Sequence, residues 1–405
     1  MSSTRRDFLK ASLMGTGLLS LSPRVPGFLA RSVAGAAERD RRDSILVVVQ
    51  LSGGNDGLNA LVPYGDDEYH RNRPTLALPV KDLHKIDSYA GFHPRMKGFA
   101  RLFKDGHLSV IRAVGYPNSD RSHERAMRIW HTAAPEQPDR QTGWLGRTLD
   151  STWDARDTDA PAVFVGPIAQ PFALNAEGVI VPSVTSLEDV TIRQGGQPSK
   201  HASSQDDLLC FVRCCTSRAL ATSQRIEAAA GASTDTAEYP SLRLAEHLHI
   251  AAQLIRADVG IRIFFVEIGG GGIGGFDNHA NQLGNHCALL GQLSQSVAAF
   301  VDDLKRDNTL NRVLLMTFSE FGRTLKENGR RGTGHGAAAP IFLAGGRLKG
   351  GLIGSPPSLT DLDNGALKFK IDFRRVYATV LDQWLGFDSR VVLGERFESL
   401  GILHV

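Results

Sequence analysis

Apolar residues along this chain fall into runs that alternate between two periods. Ser44 to Leu51 is an almost unbroken β-branched run, the pattern of a strand buried on both faces. Pro94 to Lys104 reads as a helix and His107 to Val114 as another strand. Leu244, Leu248, Ala251 and Ile255 recur at helical spacing, Gly260 ends that element, and Ile261 to Val266 is the next strand. Leu289, Leu293, Val297, Phe300 and Leu304 line a long helix ahead of the apolar run Val313 to Phe318. A short strand at Pro340 to Ala344 follows, then an amphipathic helix marked by Phe373, Val376, Tyr377, Val380 and Trp384. This alternation predicts an α/β fold, with a mostly parallel central sheet and helices on both faces. Residues 146–231 break the rhythm and include a polar stretch from Thr191 to Asp207. They are expected to form an irregular insertion or cap within a single domain covering 38–405.

The N-terminal residues follow a different pattern. Ser3-Thr4-Arg5-Arg6-Asp7-Phe8-Leu9-Lys10 precedes about 11 mildly apolar residues, then Pro23 and Pro26, then the small-residue run Ala34-Gly35-Ala36-Ala37. Charged, apolar and small, in that order, is the layout of a twin-arginine signal peptide over residues 1–37. Its apolar part falls well short of the roughly 20 residues that span a bilayer, so no stable membrane span is expected. The expected location is the periplasm or the exterior, with the twin-arginine export machinery as a partner.

That segment also distorts the charge balance. The whole chain carries a formal +3, but without residues 1–37 it holds 41 basic and 42 acidic residues. The basic excess thus belongs to the signal, and a nucleic-acid-binding reading loses its main support. Of the four cysteines, Cys210, Cys214 and Cys215 crowd one apolar stretch and Cys287 stands apart, with no Cys-x-x-Cys pair to suggest a cysteine zinc site. Spacing alone leaves the disulfide state open.

In parallel α/β sheets, ligands bind beyond the carboxyl ends of the strands. The first strand runs into Ser52-Gly53-Gly54-Asn55-Asp56-Gly57, and another into the glycine run Gly269 to Gly275 and Phe276-Asp277-Asn278-His279. A third ends in Ser319-Glu320-Phe321-Gly322-Arg323, and Gly332-Thr333-Gly334-His335-Gly336 precedes the short strand at 340. Asp56, Asp277, His279, Glu320 and His335 on one rim are a donor set for one or two divalent cations: zinc, calcium, magnesium or manganese. Singly, each has a plainer reading. Asp56 is also a turn residue, and Glu320 also a charge at a helix N-terminus. The glycine run lacks the lysine and serine or threonine of a phosphate loop, and an acidic pair follows where a dinucleotide fold would start a helix.

A nucleophile is sought in Tyr116-Pro117-Asn118-Ser119-Asp120-Arg121-Ser122-His123-Glu124. Ser122 or Ser119 would lie at a helix N-terminus, where amides and Arg121 favour an anion. The plainer reading is an N-cap, with Arg121 and His123 solvated. No Gly-x-Ser-x-Gly elbow occurs, which argues against an ordinary α/β-hydrolase.

Together these blocks, with Val62-Pro63-Tyr64, Gly143-Trp144-Leu145-Gly146-Arg147 and Asp372-Phe373-Arg374-Arg375-Val376-Tyr377, resemble the bacterial domain of unknown function 1501 in order and across nearly the whole chain after the signal. That family is similar in fold to the alkaline phosphatase and sulfatase superfamily, which implies a three-layer sandwich. The resemblance puts Asp56 in the place of the first-strand metal carboxylate, and Asp277 with His279 as a ligand pair. It puts His335 as the late histidine ligand and Ser122 as nucleophile. Two positions depart from the pattern. Phe321 follows Glu320 where a two-zinc phosphatase has histidine, and Gly334 replaces a carboxylate beside His335. The function expected is an exported metal-dependent hydrolase of phosphate or sulfate esters, small or glycan. Arg121 or Arg323 would neutralise the ester's oxygens. The alternative is a non-catalytic periplasmic protein that keeps the fold for binding or envelope assembly.

Overall fold

A computed structural model describes residues 43–152, 161–186, 237–269 and 275–404. The twin-arginine segment, the polar stretch 191–207, Cys210, Cys214, Cys215 and most of the glycine run lie outside the described residues. Cys287 is half-buried and free.

A nine-stranded sheet organises the body Ser44–Val405. Its strands are β1 (Ile45–Leu51), β2 (Leu108–Gly115), β3 (Ala162–Val165), β4 (Ser183–Val184), β5 (Ile263–Ile268), β6 (Val313–Phe318), β7 (Ala339–Gly345), β8 (Gly351–Ile353) and β9 (Ile371–Asp372). The spatial order is β8-β2-β7-β6-β1-β5-β3-β4, with β9 also beside β2. Every pairing is parallel except those of β7, which runs antiparallel to both β2 and β6.

The β-branched run of β1 is buried throughout because both of its faces are covered. Ile45, Val47, Val49 and Leu51 enter one core, and Leu46 and Val48 the other. On the first face pack α1 (Lys97–Lys104), α4 (Arg243–Arg256) and α5 (Gln282–Arg306), through Phe99, Leu248 and Leu293 among others. On the second pack α2 (His123–Thr132), α3 (Trp144–Thr152) and α6 (Phe373–Thr379), through Trp130, Trp144 and Tyr377. This is the expected three-layer α/β sandwich.

Two features add detail to the sequence expectation. The span 146–231 is not wholly outside the sheet: β3 pairs with β5 in register, Phe164 opposite Phe265, and α3 seals that side. Residues 153–160 and 187–236 of that span lie outside the described residues. The strand at 340 is the antiparallel member of the mostly parallel sheet. Its N-terminal end therefore lies on the rim formed by the carboxyl ends of β1, β5 and β6. A residue just before β7 reaches the ligand-binding rim only because of that reversal. Among the described residues, no helix is long and apolar enough to cross a membrane.

Candidate metal centre

Three loops meet on this rim, and glycines allow the approach. Gly53, at φ 112°, leaves β1 so close to the loop after β5 that a Cβ there would stand 2.5 Å from the Asp277 amide nitrogen. Gly332 lies equally tightly against the next turn, where a Cβ would be 2.2 Å from the His279 carbonyl carbon. A hairpin of Arg323–Glu327 and Thr333–His335 then sets Arg323 directly opposite His335.

Four side chains point at one place. Asp277 Oδ1 lies 2.9 Å from His279 Nε2, 3.2 Å from His335 Nε2 and 3.4 Å from His123 Nε2. The Nε2 atoms of His279 and His335 are 2.9 Å apart. Ligand atoms of His123, Asp277 and His335 all fall within 4.8 Å of one another. Phe321 forms a buried wall: its ring stacks on His335 at 4.6 Å and lies 4.9 Å from His123.

The far side of each ring fixes its tautomer. His335 Nδ1 is 2.7 Å from the Arg121 carbonyl, which can only accept, so Nδ1 carries the hydrogen. His123 Nδ1 is 2.9 Å from Glu320 Oε1, which also accepts from the Gly53 amide at 2.8 Å. Both rings thereby turn Nε2 towards Asp277. His123 Nε2 is buried and makes no hydrogen bond. Lone pairs facing a carboxylate repel unless a cation lies between them, whether a proton or a metal. Imidazoles held by an acceptor behind and a carboxylate beside them are the usual preparation for a divalent ion.

The electrostatics follow from these contacts. Burial opposes the Asp277 charge, but the hydrogen bond and charge of Arg323, with His279 and His123, bring its pKa below the ordinary value. Glu320 raises the pKa of His123 through its hydrogen bond, overcoming the desolvation. Burial lowers that of His279.

Asp277, His279 and His335 thus converge as the sequence suggested, while the other expected residues occupy different places. Asp56 is buried with its oxygens turned away, accepting from Arg73 Nη1 at 2.6 Å and Nη2 at 3.0 Å, and from Gln282. Its Oδ1 also caps Leu58 at 3.2 Å. A carboxylate so fully engaged has no oxygen left for the cluster. Glu320 stands behind His123 instead of beside Asp277. Arg323 is fully buried, holding Asp277 Oδ1 at 2.6 Å and the Gly54 carbonyl at 2.7 Å. Arg121 reaches away to the Asp363 carbonyl at 2.7 Å. Ser122 is the exposed N-cap of α2, and its hydroxyl makes no capping bond.

His123 and Arg73 are the residues that sequence reading missed. His123 had a signal, since it directly follows Ser122 in the nucleophile block. A histidine at a helix start is so often solvated that this signal is weak. Arg73 had none: nothing in Asn72-Arg73-Pro74 marks it as Asp56's partner 17 positions away.

Fold and cluster define a layered α/β protein with a histidine–carboxylate centre at the carboxyl rim of its sheet. The chain belongs to the family described as protein of unknown function (DUF1501), whose profile matches residues 111–395. No curated protein matches it. Among solved structures, a protein in the alkaline phosphatase superfamily from Vibrio parahaemolyticus is 9% identical, with 87% of this chain and 70% of that chain covered and a TM-score of 0.40. The PsFucS1 sulfatase from Pseudoalteromonas sp. is 9% identical over 93% of this chain and 75% of that chain, at 0.39. The C-terminal periplasmic domain of EcEptC from Escherichia coli, a complex with Zn, is 11% identical over 75% and 73%, at 0.34. Overlaps this loose carry no chemistry across.

Proposed function

We propose that this protein is an exported, metal-dependent hydrolase of phosphate or sulfate esters, acting on a small-molecule or glycan ester in the periplasm or outside the cell. The observation that supports this most is the pair of histidines whose Nδ1 atoms are tied down by acceptors, leaving both Nε2 atoms facing Asp277. His123, Asp277, His279 and His335 would hold one divalent ion, a smaller and more nitrogen-rich set than the sequence suggested. Nitrogen donors with one carboxylate favour zinc over calcium or magnesium. The ion would supply Lewis acidity and a nucleophile of lowered pKa.

The chain's own residues complete the arrangement. Ser122 presents a free hydroxyl at the N-terminus of α2, where backbone amides favour a developing negative charge. Glu320 and the Arg121 carbonyl keep the two rings in register. Arg323 positions Asp277 and does not bind the ester.

The decisive experiment measures bound metal in the purified protein and assays aryl phosphates and aryl sulfates, with His335→Ala and Asp277→Ala alongside. Stoichiometric metal, with turnover abolished in both variants, is the expected result. Folded, metal-free and inert wild-type protein would sink the proposal. One observation favours the binding or assembly alternative: both arginines expected to neutralise an ester are engaged within the protein. Metal bound without turnover on any ester would decide for it.

A further inference from the structure

A polar cavity opens on the same rim, and none of the clustered histidines lines it. It has a volume of about 200 Å³ and lies beyond the carboxyl ends of β3 and β5. One wall is the N-terminus of α4, with Arg243 and His247 one turn apart; Gln292 of α5 and Glu267 of β5 line the other side. Leu242, the N-cap of α4, offers no side-chain acceptor to the first turn of this 14-residue helix. The helix thus starts without a side-chain cap, and the exposed Arg243 of its first turn lines the cavity.

A helix terminus alone would not make a site. His247 adds an independent sign. It is only 6% exposed, it lines the cavity, and its buried Nδ1 has no hydrogen-bond partner among the described residues. An orphaned buried polar atom carries a desolvation cost unless something bonds to it. Burial first, then Arg243, keeps this imidazole neutral, so it can donate a hydrogen bond without adding charge. Among the described residues, Glu267 is the one acidic group in the lining. It accepts the Ser52 hydroxyl at 2.6 Å, which commits one of its oxygens within the protein.

We infer that this cavity binds an acidic group, a sulfate, phosphate or carboxylate, held by Arg243, Gln292, His247 and the α4 amides. Contacts link the two sites: Glu267 bonds Ser52, whose neighbour Gly53 bonds Glu320 behind His123. Under the hydrolase reading, on which only this last step rests, the preferred substrate carries a second acidic group besides the ester that is cleaved. A multiply sulfated or phosphorylated saccharide is a substrate of that class.

The test titrates inorganic sulfate into the metal-stripped full-length protein and follows heat release by calorimetry. Saturable binding is expected, weakened about tenfold in Arg243→Ala and largely restored in Arg243→Lys. Gln292→Ala should weaken it severalfold, and His335→Ala should titrate like wild type. Unchanged binding in both Arg243→Ala and Gln292→Ala would overturn the inference. So would loss of binding in His335→Ala, which would put the sulfate at the histidine cluster. The link to substrate is read separately, as the ratio of KM values for monosulfated and disulfated saccharides in the metal-loaded protein. Arg243→Ala should move that ratio towards one, and a ratio unmoved overturns the link. Absence of any hydrolysis defeats the hydrolase reading alone, because the sulfate titration decides the subsite without it.

Discussion

Asp56 and Asp277 leave neighbouring strands of one sheet, and each is held by an arginine, yet they have opposite fates. Asp56 meets Arg73 in a pair whose side chains are 2% and 0% exposed. Arg73 completes its bonding on Asn59 Oδ1 at 2.8 Å and the Leu325 carbonyl at 2.9 Å. Asp277 meets an equally buried Arg323, but its own side chain is 41% exposed and turns one oxygen to three imidazoles. The same ion-pair chemistry locks loops together at one end of the rim and orients a donor at the other. What separates the two is access to solvent, which sequence spacing does not encode.

The largest effect should come from breaking the sealed pair. Asp56→Ala would leave the Arg73 guanidinium buried without its counter-charge, and losing one partner of such a pair costs about 3–5 kcal/mol. Chemical denaturation should show that loss directly. Activity lost in Asp56→Ala would then report unfolding, not a missing ligand. A drop below about 1 kcal/mol, with metal lost, would return Asp56 to the metal site.

The pH response should also divide the two ends. His286, beside the sealed pair, has Nε2 2.9 Å from Asn55 Oδ1, and burial pushes its pKa down to about 4 from 6.5. The unfolded chain therefore binds a proton that the folded one refuses. Its contribution is complete above pH 6.5 and is lost as pH falls towards about 4, at about 1.4 kcal/mol per unit. His286→Gln should flatten the stability curve of wild type in that window. Parallel curves would show that the ring is not buried as a neutral group.

Most of the fold was legible because each β-branched run and each helical stripe is a local signal. β1, β5, β6, α4 and α5 all arise where the periodicity put them. The direction of β7 was not legible, since a four- or five-residue apolar run looks the same read either way. Three of five expected ligands converge because glycine-flanked polar residues at strand exits have few other places to go. Asp56 failed for a physical reason: a carboxylate at a strand exit serves a buried guanidinium as readily as a cation, and the guanidinium came from a segment without any pattern. Phe321 stands where a two-zinc phosphatase has a histidine ligand, and here its ring forms the wall on which His335 stacks.

A smaller effect should follow at the open end. Asp277→Ala leaves Arg323 with the carbonyls of Gly54, Phe276 and Thr333, and the lost carboxylate was itself half in solvent. The expected cost is about 1–2 kcal/mol, after discounting the exposed charge for screening. Metal binding should be abolished all the same. A stability loss matching that of Asp56→Ala would erase the distinction between the two carboxylates.

The finest test concerns His123, whose pKa shift runs opposite to that of His286. Glu320 raises it above 6.5, so the metal-free folded state holds its proton more tightly than the unfolded chain does. Its contribution is complete below pH 6.5 and fades as pH rises through the folded value. A divalent ion would have to displace that proton, so metal affinity should climb across the same interval. Side-chain NMR of the metal-free protein should show His123 titrating above an ordinary histidine. Glu320→Gln should return it towards 6.5, since an amide holds the ring without charge. If Glu320→Gln leaves both the titration and the metal affinity unmoved, then Glu320 does not tune the cluster. His123 would then be a bystander that happens to face Asp277.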